Sequence, residues 1–312
     1  MTPQRGARVP FTVRSAAVAT MLLVSACGGG PGGASDEPGP SAPLWSGRTA
    51  EAEGMEALDV PAVAPSPAVV SGRRFMTKCV GNGSGSVLLV SGWTAPMKEW
   101  ESIQAKLGSV ARTCSYDRLG IGESGPLPPS QTFTTFAADI DLLIEELDLP
   151  RPIVIVGQSL GGPIAMTWAT SHPGDTAGVV LVDAPDAAFF EWQAEAMTDE
   201  QKANLYDPMA SVADDAEHVD RPTSYAELKD LASLDDLPLE VLTHDPDSPN
   251  GIETELGEGV PEEETAREWL AAQRRWQGFS SRSELVTVVG AGHSIQLDDP
   301  DAVVAAVLVA LG

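Results

Sequence analysis

The run Pro152-Ile153-Val154-Ile155-Val156-Gly157-Gln158-Ser159-Leu160-Gly161-Gly162 constrains this chain more than any other stretch. A short β-branched segment reads as a buried parallel strand, and Ile164, Met166 and Ala169 beyond it follow a helical pattern. Gly-x-Ser-x-Gly between strand and helix reads as a turn too tight for larger side chains. Such a turn holds its serine strained and exposed at the head of a helix, where a base from another loop can reach the hydroxyl. The alternative is a glycine-rich turn with no chemistry.

Other segments repeat the alternation. Ser86–Val90, Ala177–Val182 and Glu284–Val289 read as apolar strands, and Leu237–Thr243 alternates with period two. Trp100, Ile103 and Leu107 recur at helical spacing, as do Phe136, Ile140, Leu143, Ile144 and Leu147, whose helix Pro150 and Pro152 terminate. Trp269, Leu270, Gln273 and Trp276 mark another helix, and Val303, Val304, Val307, Leu308 and Leu311 a closing one. Strands alternating with helices predict a mostly parallel sheet flanked by helices. From about 187 to 236 the period-two strands disappear, leaving an acidic stretch whose aromatics (Phe189, Phe190, Trp192, Tyr206, Tyr225) read as exposed. This is expected to be an inserted helical cap.

The first 26 residues read as an export signal. Arg5, Arg8 and Arg14 precede an apolar run, Ser15 to Ala26, too short to span a bilayer as a mature helix. Val24-Ser25-Ala26-Cys27 ends it, which resembles a bacterial lipoprotein signal with Cys27 as the lipidated mature N-terminus. The alternative is a plain signal peptide with an unrelated cysteine. The Gly/Pro/Ser-rich stretch 27–65 suits a flexible tether, leaving 66–312 as the folded domain. Expected placement is therefore on the outer face of the cytoplasmic membrane, or secreted. The net charge of −26 repels nucleic acid and argues against a DNA or RNA partner. Cys79 and Cys114 form an even pair in an exported chain, read as a disulfide joining two strands ahead of two free core thiols. Neither cysteine has metal-ligand neighbours at suitable spacing, so no metal and no cofactor are expected.

Together these pieces resemble an α/β-hydrolase over roughly residues 70–312. The resemblance rests on Ser91-Gly92-Trp93 (where the family usually has His-Gly-x), Tyr116-Asp117-Arg118-x-Gly-x-Gly-x-Ser124, Gly157-Gln158-Ser159-Leu160-Gly161-Gly162 and Gly292-His293. It implies a serine nucleophile, says little about substrate, and makes the Cys79 and Cys114 strands neighbours. Asp117 and Arg118 are expected to pair structurally and hold their loop.

Ester cleavage by such a chain needs a nucleophile, a base and donors for the oxyanion. Ser159 is the expected nucleophile. Of four histidines, His293 lies in the glycine-flanked loop after the last strand, where the fold delivers the base; His172, His218 and His244 read as structural. The backbone N–H groups of Leu160 and Trp93 are the expected oxyanion donors. For the orienting acid, Asp183 at a buried strand end fits well, Asp247 after the later strand is the alternative, and Asp245 comes third. The expected activity is hydrolysis of small-molecule or lipid carboxylic esters. Peptidase, thioesterase and cofactor-free haloperoxidase chemistry share the triad, and a non-catalytic surface binder is the rival outside enzymes.

Overall fold

The computed structural model describes residues 49, 51–59, 63–198, 211–212, 215–252 and 262–312. The expected leader, Cys27 and most of the tether lie outside these residues, as does Tyr206.

The described chain is an α/β-hydrolase fold built on one sheet. Its strands are β1 (Ser66–Val70), β2 (Arg73–Val80), β3 (Gly85–Val90), β4 (Ala111–Asp117), β5 (Ile153–Gln158), β6 (Thr176–Val182), β7 (Leu239–His244) and β8 (Ser283–Val288). They lie in the order β1-β2-β4-β3-β5-β6-β7-β8. β2 runs antiparallel to β1 and β4, and every pairing from β4 through to β8 is parallel. β1 and β2 turn through Ser71 and Gly72, both at positive φ.

Burial on both faces explains the β-branched strands. In β3, Leu88 and Val90 face one apolar layer while Val87 and Leu89 face the other. The first layer is covered by α2 (Phe133–Glu146) and α3 (Gly161–Ser171), through Phe136, Ile140, Leu143, Ile164 and Trp168. The second is covered by α1 (Glu101–Leu107) and α7 (Pro300–Leu311), through Ile103, Leu107, Val303, Val304 and Val307. Thr132 caps α2 by accepting from the Thr135 N–H, with the Thr135 hydroxyl reciprocating.

Between β6 and β7 lie α4 (Ala187–Ala196) and α5 (Arg221–Lys229). Their aromatics differ from the expectation: Phe189, Phe190 and Tyr225 are buried, and Trp192 is half-buried. Phe190 stacks on Tyr225 at 4.1 Å, and Phe189 meets Trp269 edge-on at 4.8 Å. Trp269 belongs to α6 (Glu262–Gln277), which follows β7. The aromatics are therefore the glue between these helices rather than a surface, because each ring buries more apolar area than the acidic sequence around it suggests.

Cys79 and Cys114 face each other in the β2–β4 register and form a disulfide. The bridge spans 35 positions of sequence, a loop closure worth about 4 kcal/mol against the unfolded chain.

Glu240 on β7 is a buried carboxyl opposite Glu284 of β8, with Oε2 unpartnered. Burial, helped by Glu284, raises its pKa from 4.5 to about 7. The folded protein thus holds a proton that the unfolded chain releases, and stability falls as pH rises from 4.5 to about 7. Glu240→Gln is expected to add about 1–2 kcal/mol at about pH 8 and little at about pH 5. Urea unfolding at both pH values measures this; equal gains at the two would contradict it.

Candidate active site

The chain order places two loops together. β3 and β5 are sheet neighbours, and the chain leaves β3 toward β4 on one side before returning to β5 on the other. This reversal opens a crevice beyond the carboxyl ends of both strands. The loop after β3 carries Gly92 and Trp93, and the turn after β5 carries Ser159.

Ser159 sits at φ 48°, the strained conformation that the glycines make possible. A Cβ on Gly157 would stand 2.2 Å from the Gly161 carbonyl oxygen, and one on Gly161 would stand 2.3 Å from that of Val90. Ser159 N–H donates to Val182 O at 3.0 Å, and its carbonyl accepts from Gly162 N–H at 2.9 Å. His293 arrives from the loop after β8, where its N–H donates to Asn250 O at 2.9 Å. Asp183 ends β6, also at positive φ, with its N–H on Leu242 O.

These three side chains form a line. His293 Nε2 lies 3.1 Å from Ser159 Oγ, and His293 Nδ1 lies 2.7 Å from Asp183 Oδ2. An ionised carboxylate only accepts, so Nδ1–H donates to Asp183 and leaves Nε2 as the acceptor facing the serine hydroxyl. Burial of Asp183 would raise its pKa. Hydrogen bonds from His244 and His293, with the attraction of both rings, overcome that and hold it well below the ordinary carboxylate range. Asp247, by contrast, is exposed, and its N–H donates to the Asp245 carboxylate; a second Asp245 oxygen accepts from Gly290 N–H.

His244 departs from the structural reading given to it. Its Nδ1 lies 2.8 Å from Asp183 Oδ2, and its N–H donates to Oδ1 at 3.0 Å. Trp269 Nε1 donates to the same Oδ1 at 2.9 Å, and Thr243 Oγ1 at 3.3 Å. The available signal was positional: β6 and β7 pair, so the residues that end them meet. His172 stacks on Trp168 at 5.1 Å, and His218 lies against Pro128 O at 2.7 Å, both away from the serine.

Leu160 and Trp93 line the same cavity as Ser159 and His293, a space of about 440 Å³. Leu160 stands at the head of α3, where N–H groups lack intrahelical partners. Trp93 sits at the rim, and the residue after it, Thr94, is at φ 57°. That conformation is costly for a β-branched residue, and a fully buried Glu217 offsets the cost by accepting Thr94 N–H at 2.5 Å. Ser91 Oγ, in the family's histidine position, accepts from Trp100 Nε1 at 2.9 Å.

Glu217 also corrects the expected Asp117–Arg118 pair. Arg118 Nε and Nη2 each lie 2.7 Å from a different Glu217 oxygen, while Nη1 and Nη2 donate to the carbonyls of Ser91 and Gly92. Burial lowers the Arg118 pKa, and Glu217 more than restores it. Asp117 Oδ1 instead accepts Met97 N–H at 2.7 Å. Partners so far apart in sequence leave no local pattern to read. A second buried pair, Arg221 with Asp215, adjoins Trp93: the guanidinium lies 5.6 Å from the indole, whose Nε1 donates to Asp215 Oδ1 at 3.4 Å.

Glu217→Gln leaves the buried Arg118 without its counter-charge and loosens the Gly92–Thr94 loop. The expected result is a loss of about 3 kcal/mol in urea unfolding. A roughly tenfold lower kcat with little change in KM should accompany it. An unchanged kcat would deny the pair any part in holding that loop.

Residues 87–306 match the model of the alpha/beta hydrolase family. Among curated proteins, YqjL of Bacillus subtilis (strain 168) is 25% identical over 235 residues, covering 74% of this chain and 85% of YqjL. A non-heme chloroperoxidase of Streptomyces lividans is 35% identical over 100 residues, covering 31% of this chain and 36% of that enzyme. Among solved structures, a thermophilic esterase from Thermogutta terrifontis superposes with a TM-score of 0.53 at 21% identity, covering 78% of this chain and 97% of the other. Such a likeness speaks for the fold alone, whereas the family match spans most of the chain. By that match, this chain belongs to the alpha/beta hydrolase family.

Proposed function

We propose that the protein is a serine hydrolase cleaving carboxylic esters through an acyl-enzyme. The observation that carries this reading is the continuous contact from Ser159 Oγ to His293 Nε2 at 3.1 Å and from His293 Nδ1 to Asp183 Oδ2 at 2.7 Å. His293 takes the Ser159 proton as Oγ attacks the ester carbonyl carbon. The negative charge formed on the carbonyl oxygen is met by the N–H groups of Leu160 and Trp93. Collapse of this intermediate expels the alcohol, which takes the proton from His293. A water molecule, deprotonated by His293, then attacks the acyl carbon and returns free Ser159 and the carboxylic acid. Asp183 stays ionised and holds the ring in the tautomer that both steps need. A serine nucleophile argues against the dehalogenase and epoxide hydrolase chemistries, which use an aspartate. The stretch similar to the S. lividans chloroperoxidase favours cofactor-free haloperoxidase as the second reading. Peroxide-dependent halogenation of a dye, run beside ester turnover, separates the two.

Export and anchoring through lipidated Cys27 complete the proposal. The composition of residues 1–65 supports them: a basic start, an apolar run, small residues before Cys27 and a Gly/Pro-rich spacer.

A fluorophosphonate probe is expected to label the wild type and not Ser159→Ala; equal labelling of the two would remove Ser159 as nucleophile. Asp183→Asn is expected to lower ester kcat roughly 10³-fold or more, and Asp247→Asn by less than about threefold. Comparable losses would undo the assignment of the acid. Intact mass of protein from the membrane fraction should match a chain beginning at diacylated Cys27, and any other start would refute the anchor.

A further inference from the structure

The cavity beside Ser159 joins aromatic rings to an acid. Trp93, Phe189, Phe190 and Trp269 line it, and among the described residues Glu99 is the one lysine, arginine, aspartate or glutamate that does. Glu99 is half-buried in the 3-10 turn Met97–Trp100. Its Oε2 accepts from Gln296 Nε2 at 3.1 Å, on the short helix Ile295–Asp298 that follows His293. Its Oε1 meets no protein donor and is open to water. Among the described residues no lysine, arginine or histidine pairs with this carboxylate. A glutamine would accept the same bond from Gln296 without a charge, so that contact does not account for an acid at this position.

Charge and solvation narrow what the cavity suits. The nearby guanidinium groups are engaged elsewhere, Arg118 by Glu217 and Arg221, against the Trp93 ring, by Asp215. Lys98 is exposed and lies outside the lining. A carboxylate or phosphate on the substrate would therefore face Glu99 with no cation to offset the repulsion. A plain alkyl chain suits the rings, but it strips water from the carboxylate and returns no partner to it. An ammonium group gains from both, since it is attracted to the carboxylate and to the negative faces of aromatic rings. The net charge of −26 also favours the approach of cations.

We propose that Glu99 is a specificity-determining residue that receives an ammonium group of the substrate within the aromatic cavity. The inference rests on the serine hydrolase reading and adds a substrate class: cationic esters, with the ammonium on the acyl or the alcohol portion, in preference to uncharged esters of the same shape and to anionic ones. Such a site rejects the uncharged analogue because its own carboxylate then loses water without gaining a partner.

Fluorophosphonates whose chains end in trimethylammonium, in the isosteric tert-butyl group or in carboxylate test this at several short chain lengths. Two series carry the variable chain on either substituent of phosphorus, and the rate of Ser159 labelling is followed by intact mass. In at least one series, at the length that reaches Glu99, the ammonium probe is expected to react about tenfold faster than the tert-butyl probe, and the carboxylate probe slowest. Glu99→Gln should cut the ammonium-to-tert-butyl ratio by roughly threefold or more and speed the carboxylate probe selectively, with Glu99→Ala as the substitute if the glutamine variant does not fold. A wild-type ratio of one or below in both series at every length overturns the proposal. So does a ratio that survives loss of the carboxylate, which would assign the preference to the acidic surface as a whole. In either case labelling of Ser159 by the tert-butyl probe leaves the serine hydrolase reading intact. Absence of labelling by every probe refutes that reading, and this inference with it.

Discussion

The site depends on one buried carboxylate. Asp183 is wholly shielded from solvent at the carboxyl edge of the sheet, where an unpaired charge would cost several kcal/mol. It is tolerated because donors converge on it from separate segments: Thr243 and His244 at the end of β7, Trp269 on α6, and His293 after β8. Together these donors tie β7, α6 and the loop after β8 to the end of β6. The same carboxylate that orients His293 therefore also fastens the ends of β6 and β7, α6 and the loop after β8 to one another. Its depressed pKa expresses this: the hydrogen bonds outweigh the burial that opposes them.

A second set of buried charges does comparable work on the other side of Ser159. The loop after β3 must leave the sheet, pass through a strained Thr94 and present Trp93 at the rim. Local sequence does not stabilise that path. Arg118, from the turn after β4, holds the Ser91 and Gly92 carbonyls, and Glu217 holds both Arg118 and the Thr94 amide. Glu217 lies in the segment between β6 and β7, so that segment and the loop after β3 are joined through charge rather than through apolar packing alone. Buried pairs of this kind add little net stability, but they permit few alternative arrangements.

Much of the fold was legible because its signals are local. β-branched runs bounded by glycine announced the strands, and helical spacing announced the helices; observed boundaries such as Gly85–Val90 and Thr176–Val182 differ from those read by a residue or so. The serine turn was legible because its glycines are required by contacts within a few residues and with the adjoining strand. Three features were not legible. His244 read as structural because nothing near it in sequence marks it as a partner of Asp183. Arg118 was matched to its neighbour Asp117 when its partner lies 99 residues away. The aromatics of 187–236 read as exposed because an acidic sequence does not reveal which rings face one another.

The sequence by itself determined the fold class, the strained serine turn and the glycine-flanked histidine loop, since each is a statement about which backbone conformations short stretches of residues permit. Only the tertiary structure decided between Asp183 and Asp247 as the carboxylate in contact with His293, and only it set Glu217 on Arg118. Those outcomes depend on distances between segments scores of residues apart. They also depend on the removal of water from between them, which makes a charge or an amide either well paired or costly.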